Sequence, residues 1–374
     1  MRCRICSANL SDKDVLIFSN MPQSAQGFLK KSELDKDFGE DIHLKQCKYC
    51  GLVQAYGEPV SYYRDVIRAS GVSTQMRRFR IDQYTDWVGR CGLQGKKIIE
   101  IGCGRGEYLD FMEETDAMVF GMEHDPSSVK EAIQAGHHVF EGFIEDDNYV
   151  IPQAPYAGFF MMYFLEHIPE PVGFLRAISD NLESEAYGLI EVPDFSMMIA
   201  RSLYSEFIQD HLSYFTEDTF GQLLRLCGFD VLSVKSIWNG YILSAEIKKK
   251  TPLDVSGFKN EHINQRSLMK NFFDREKQKG SRLAVWGAGH QALANLSLLA
   301  MSKDIVCVID SADFKQGMYT PVTHIPIVSP EDMYQYKIDK VIIMAAGYSD
   351  EVAGIMESSY PNIEKVIFDE NGFR

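Results

Sequence analysis

The sequence predicts an α/β protein: two doubly wound parallel-sheet domains behind a small cysteine-rich unit. Three observations predict it. Two C-x-x-C pairs, Cys3/Cys6 and Cys47/Cys50, stand within the first 50 residues. From Lys96 onward, short apolar strand runs alternate with helical patterns. After a charged break at Lys248-Lys249-Lys250-Thr251-Pro252, the same alternation starts again from Arg282. The 374 residues suit two or three domains. Hydrophobic residues make 45% and charged ones 24%, an ordinary globular balance that excludes a disordered, collagen-like or coiled-coil chain. The divisions read from these breaks are 1–58, 59–250 and 251–374.

The first unit reads as short strands and turns around its cysteines. In a reducing compartment, paired C-x-x-C turns are more often metal ligands than disulfides. Thiolates favour Zn²⁺, and each turn supplies two ligands, so Cys3, Cys6, Cys47 and Cys50 close a tetrahedral site. Four protein ligands leave no open position for water, which makes the predicted zinc structural. The alternative is four reduced, buried cysteines. His43, nearby, reads as a surface histidine. Gly57-Glu58-Pro59 breaks the chain after this unit.

A helix follows, with Ser73 as N-cap, Ile81, Tyr84 and Val88 on one face and Gly92 as the stop. Strands are predicted at Lys97–Ile101, Met118–Glu123, Ala157–Tyr163 and Gly188–Val192, with helices between them and a helix at Thr219–Leu226 closed by Gly228. This alternation implies a parallel sheet covered on both faces. The Lys248–Lys250 run reads as a solvated edge or linker. A helix over Asn264–Lys279 leads into strands at Arg282–Trp286, Ile305–Ile309, Lys340–Met344 and Lys365–Phe368.

Net charge is −15, from 38 basic and 53 acidic residues. Phosphate backbones reward Lys and Arg, so nucleic acid is not a predicted partner. The longest apolar run, Phe159 to Leu165, is far below the ~18 residues of a membrane span. Met1-Arg2-Cys3-Arg4 lacks a signal-peptide core, and a cytoplasmic location is the expectation.

The chemistry gathers at three places. The first strand runs into Glu100-Ile101-Gly102-Cys103-Gly104-Arg105-Gly106, a turn whose glycines allow close backbone approach to a ligand. Glu123 ends the next strand, 21 residues after Gly102, where a carboxylate can accept both ribose hydroxyls of a nucleoside. Further on stand Phe164-Leu165-Glu166-His167-Ile168-Pro169-Glu170-Pro171, and later Asp210-His211-Leu212-Ser213-Tyr214-Phe215. His124, His137 and His138 read as surface residues.

The glycine turn, with its preceding acid and strand-end Glu123, resembles motif I of class I S-adenosylmethionine-dependent methyltransferases. The Leu165-Glu166-His167 loop is similar to the loop after their fourth strand. The whole order of cysteine knuckles, this core and a trailing α/β domain resembles the deoxysugar C-methyltransferases. So do Met21–Phe28 and the Asp210–Phe215 segment. The fold implied is a class I methyltransferase Rossmann-like domain between a small N-terminal four-cysteine zinc domain and a C-terminal Rossmann-like α/β domain.

The resemblance implies S-adenosyl-L-methionine as cofactor, with Glu100, Gly102, Gly104, Gly106 and Glu123 holding it. Phe143 and Ile144 would flank the adenine, and Leu165 and Glu166 would border the methyl. It implies His211 as a base that forms an enolate on a keto sugar, with Asp210 as its acidic neighbour. The acceptor implied is a nucleotide-linked deoxysugar held between the central and C-terminal domains. Asp210 is one methylene shorter than the family's glutamate, and Ile208 and Gln209 stand where the family has Tyr-His. Isoleucine donates no hydrogen bond to a keto oxygen, so O- or N-methylation of a small molecule stays open.

Gly287-Ala288-Gly289-His290-Gln291-Ala292 follows a strand, and Asp310 ends the next one, which by itself reads as a dinucleotide fingerprint. The resemblance implies instead that this domain supports the acceptor. His290 could reach an acceptor phosphate or sit at the surface. A non-catalytic zinc-knuckle binding protein and an NAD-dependent oxidoreductase are the readings from other classes.

Overall fold

The structure, a computed structural model, describes residues 1–24, 28–64, 72–298, 303–369 and 371–374. Ala25, Gln26 and Gly27 of the Met21–Phe28 segment lie outside the described residues. The chain divides into two compact units, Met1–Pro252 and Leu253–Arg374.

The first unit opens with β1 (Leu16–Met21), β2 (Glu40–Gln46) and β3 (Val53–Ala55). The helix α1 (Thr74–Arg90) begins at Ser73, whose hydroxyl accepts the N–H of Met76, as its capping position requires. Then come β4 (Lys97–Ile101), α2 (Leu109–Met112), β5 (Met118–Glu123), α3 (Pro126–Ala135), β6 (Val139–Glu141), β7 (Tyr156–Met162), α4 (Pro171–Asp180) and β8 (Leu182–Pro193). The unit closes with α5 (Phe195–Ala200), β9 (Ser213–Tyr214), α6 (Glu217–Leu226), β10 (Phe229–Ile237) and β11 (Ile242–Lys249).

Among the described residues these strands form two sheets, one in the order β10-β11-β8-β7-β4-β5-β6 and one in the order β1-β2-β3-β9. In the larger sheet β4 to β8 pair in parallel, while β11 runs antiparallel to both β8 and β10. The antiparallel pair corrects the expectation of a wholly parallel sheet. It also corrects the reading of Lys248-Lys249 as linker, because both lie in β11. Their ammonium groups reach Glu185 and the Leu182 carbonyl.

The two-residue side-chain period of a strand divides the core in two. Ile99, Ile101, Phe159 and Met161 pack on one face with Phe220 and Leu224 of α6. Ile98, Phe160 and Met162 pack on the other with Tyr84 and Trp87 of α1.

The smaller sheet has an unexpected fourth strand. Val53 and Gln54 of β3 pair with Tyr214 and Ser213 of β9, so the chain after β8 returns to close the sheet of the cysteine unit. The Ala55 N–H also donates to the Leu212 carbonyl.

The second unit contains α7 (Ser256–Lys279), which starts earlier than its sequence pattern suggested. It continues with β12 (Leu283–Trp286), α8 (His290–Leu298), β13 (Ile305–Ile309), β14 (Ile327–Val328), β15 (Lys340–Ile343), α9 (Ser349–Ser359), β16 (Glu364–Asp369) and β17 (Gly372–Phe373). The sheet order is β14-β13-β12-β15-β16-β17, parallel except for the last pair. No helix among the described residues is long and apolar enough to cross a membrane.

Candidate active site

The four cysteines of the first unit converge. Cys3 Sγ lies 3.4 Å from Cys50 Sγ and Cys6 Sγ 3.5 Å from Cys47 Sγ, and all four sulfurs lie within 4.8 Å of one another. Sulfurs on a zinc at about 2.3 Å each would stand about 3.8 Å apart, so the quartet fits a tetrahedral ion. Burial pushes the Cys47 thiol up, but the N–H groups of Cys50 and Tyr49 and the Cys6 and Cys50 thiols outweigh it and hold it at about 7. His43 stays outside the quartet, half-buried against Asp14.

The glycine turn follows β4. Gly102 takes φ +73°, and a Cβ there would meet the Phe164 ring at 3.0 Å. Gly104, at φ +56°, donates its N–H to Glu123 Oε2 at 2.8 Å. Glu123 Oε1 accepts the N–H groups of His124 and Asp125. The carboxylate read as a ribose acceptor is thus also a brace, tying the end of β5 to the turn. Gly106 faces elsewhere: a Cβ on it would strike the His137 ring at 2.5 Å. His137 is buried, with its ring nitrogens 3.0 Å from Glu113 and 3.4 Å from Asp110, so its reading as a surface residue is corrected.

A small cleft beside the turn is lined by Gly102, Met122, His124, Phe143, Ile144 and Phe164, among others. The Arg64 guanidinium lies over the Phe143 ring, 5.0 Å from its centroid, and pairs with Glu145 at 2.9 Å. His124, partly exposed, packs edge-on to Phe143. Aromatic walls beside a strand-end carboxylate fit a nucleoside. Glu100 is fully buried in β4, and Leu165 is fully buried in the core beside β4 and β8.

The third group lies two residues beyond Phe164. Glu166, His167 and His211 place a carboxylate oxygen and two ring nitrogens within 4.8 Å of one another. Glu166 and His167 sit on a short 3-10 turn, Leu165–His167, after β7. His211 sits just before β9. The Leu212 N–H donates to the Glu166 carbonyl at 2.9 Å and clips the two segments together. The rings of His167 and His211 meet edge-on with centroids 4.9 Å apart. His167 Nδ1 donates to the Asp210 carbonyl at 2.9 Å, so Asp210 meets His167 through its backbone.

Burial, then the neighbouring His167, hold the His211 imidazole well below its usual range. Burial lowers His167 as well, opposed by the Asp210 carbonyl and carboxylate. Burial pushes the Glu166 carboxyl up to about 8. By sequence alone His167 has no role beyond its place in a loop. Its signal was present in the Leu165-Glu166-His167 loop, but nothing in the sequence brings that loop to His211.

In the second unit the Asp310 carboxylate accepts the Ala288 N–H at 2.8 Å and pairs with Lys315 at 2.8 Å. A Cβ at Gly287, φ +118°, would come within 2.8 Å of the Met344 carbonyl, so both packing and backbone conformation require this glycine.

Residues 76–234 match a methyltransferase domain, and residues 243–368 match the C-methyltransferase C-terminal domain. A C-methyltransferase of Streptomyces niveus, NovU, is 21% identical over 94% of this chain and 90% of its own. A ubiquinone biosynthesis O-methyltransferase of Azoarcus sp. is 31% identical over 25% of this chain and 42% of its own. A solved S-adenosylmethionine-dependent methyltransferase from Aquifex aeolicus covers 46% of this chain and 92% of its own at 17% identity, with a TM-score of 0.36. The methyltransferase domain, the C-methyltransferase C-terminal domain behind it and a low-identity relative along nearly the whole chain make this chain an S-adenosylmethionine-dependent methyltransferase similar to the C-methyltransferases.

Proposed function

We propose that the protein transfers a methyl group from S-adenosylmethionine to the carbon beside a keto group of a nucleotide-linked deoxysugar, with His211 as the base. The observation that carries this reading is the clustering of Glu166, His167 and His211 two residues beyond the ring that covers Gly102.

Gly102, Gly104 and Glu123 are assigned to the nucleoside, with Glu100 and Gly106 supporting the turn from behind. Phe143 and Ile144 are assigned to the adenine, and Leu165 to packing beneath the Glu166 turn. When bound, S-adenosylmethionine supplies an electrophilic methyl whose transfer leaves S-adenosylhomocysteine. His211, neutral at neutral pH, takes the proton from the carbon next to the ketone. Asp210 holds His167 against the base through its carbonyl. Cys3, Cys6, Cys47 and Cys50 are assigned to a structural zinc, which would steady the sheet that β9 completes.

Incubation with labelled S-adenosylmethionine and a panel of nucleotide sugars, followed by mass spectrometry, tests the acceptor. His211→Ala is expected to lower turnover about 10²–10⁴-fold, the usual loss of a general base, while cofactor affinity stays within a few-fold. Undiminished turnover in that variant would refute the base. Isoleucine at position 208 favours a second reading, in which the methylated atom is oxygen or nitrogen. Fragmentation of the product decides between them.

A further inference from the structure

Removing a proton beside a ketone puts negative charge on the keto oxygen, which needs a hydrogen-bond donor aimed at it. Two donors of the cluster, Tyr214 and His167, are committed, while Gln209 Nε2 and Ser213 Oγ on the His211 segment are buried with no partner among the described residues. Ile208 has no donor in its side chain. The Tyr214 hydroxyl donates to the Ile208 carbonyl at 3.3 Å. His167 Nδ1 donates to the Asp210 carbonyl. His211 is reserved for the proton taken from carbon.

Glu166 lies in the cluster itself. Its side chain is buried, and its ion-pair contact among the described residues is a long one, 3.9 Å from Oε1 to His167 Nε2. Its Oε2 is buried with no hydrogen-bond partner among the described residues. Because Nδ1 of His167 carries the proton it gives to Asp210, Nε2 of the neutral ring is a lone pair. A lone pair therefore faces a carboxyl oxygen in a buried site. That arrangement is repulsive for an ionised carboxylate and acceptable for a protonated one.

We propose that Glu166 is a neutral carboxylic acid that donates a hydrogen bond to the acceptor's keto oxygen as charge develops there. This rests on the reading of His211 as base. The proton stays on Glu166 throughout. The proton from carbon goes to His211, the enolate carbon forms the bond to the methyl, and the keto group is restored as that bond forms. Burial, which pushes Glu166 up to about 8, acts in the same direction as the geometry. The titratable groups around it are His167 on its own turn, Tyr163 after β7, and His211 and Asp210 on the segment before β9. A carboxylic acid kept neutral by an apolar site so that it can donate is established enzyme chemistry.

The test compares Glu166→Gln with Glu166→Ala in the full-length protein. The glutamine amide still donates, so Glu166→Gln should keep turnover within about tenfold and lack the fall in rate expected of the wild type above about pH 8. Glu166→Ala should lose about 10²–10³-fold, the usual cost of one such donor. If Glu166→Gln is as inactive as Glu166→Ala, the group acts as a carboxylate and the proposal falls.

An acceptor-free readout runs beside it. Infrared spectra at pH 7 should contain a neutral-carboxyl stretch that disappears in Glu166→Gln. Absence of that band in the wild type overturns the proposal whatever the acceptor. A product methylated on oxygen or nitrogen would instead refute carbon methylation, and an active His211→Ala would refute the base; either leaves the band in place.

Discussion

Arg80 and Glu191 form an ion pair whose side chains are both 0% exposed, with Nη1 2.6 Å from Oε2. The guanidinium also donates to Gln83 Oε1 at 2.7 Å and to the Tyr163 hydroxyl at 2.9 Å, and lies against the ring of Tyr108. Gln83 in turn donates to Glu191 Oε1 at 2.7 Å. Burial disfavours the charge on Arg80, and Glu191 restores it. Arg80→Met therefore leaves Glu191 charged in a dry interior, which costs about 3–5 kcal/mol for a broken buried pair. Against a typical total of roughly 5–15 kcal/mol, that is a large fraction.

Arg80→Met/Glu191→Leu removes both charges and should recover most of the loss, because a well-packed apolar pair often replaces a buried ion pair without penalty. Urea unfolding followed by the fluorescence of buried Trp87 measures both variants. A single-variant loss under about 1 kcal/mol, or a double variant no more stable than the single, would refute the reasoning. Tyr163, held at φ +53° with its N–H on the Glu191 carbonyl, should lose its fixed conformation in the single variant.

Elemental analysis should find about one zinc per chain, and its removal by a chelator should loosen the β1-β2-β3-β9 sheet. Because β9 follows His211, methyl transfer should fall at least about tenfold while S-adenosylhomocysteine still binds, by calorimetry. Glu123→Ala should weaken cofactor binding about ten- to hundred-fold and also lower stability by about 1–3 kcal/mol, since three backbone N–H groups lose their acceptor. Unchanged affinity and melting temperature would refute both roles. In the second unit, burial pushes Glu276 up, but Lys340 and Lys279 outweigh it and hold it at about 2. Its folded pKa is thus below its unfolded one. The stability it contributes is present above about 4.5 and is lost as pH falls towards about 2. Acid unfolding of Glu276→Gln should lack that component.

The alternating elements were legible because strand and helix periods are local properties of the chain. Lys97–Ile101, Met118–Glu123 and Ile305–Ile309 were read with the bounds the structure has. β10 was missed because it is partly exposed and carries serines and a lysine, and β11, though largely buried, because Ser244, Glu246 and Lys248 interrupt its apolar residues, so no apolar run announces either. The cysteine quartet was legible for a different reason: a C-x-x-C turn brings its own two ligands together.

What the sequence by itself determined was therefore the inventory. It contained the glycine turn, the carboxylate 21 residues on, the two cysteine knuckles, the Leu165–His167 loop and the His211 segment. What only the tertiary structure decided was which of these meet. The return of β9 to β3 brings His211 to Glu166 and His167, Phe164 closes on Gly102, and Gly106 turns away onto His137. The physical reason is range. Helix caps, strand periods and tight turns are set by neighbours a few residues apart. The cluster at Glu166 spans more than forty residues, and the strand pairing that assembles it exists only once the sheets have packed.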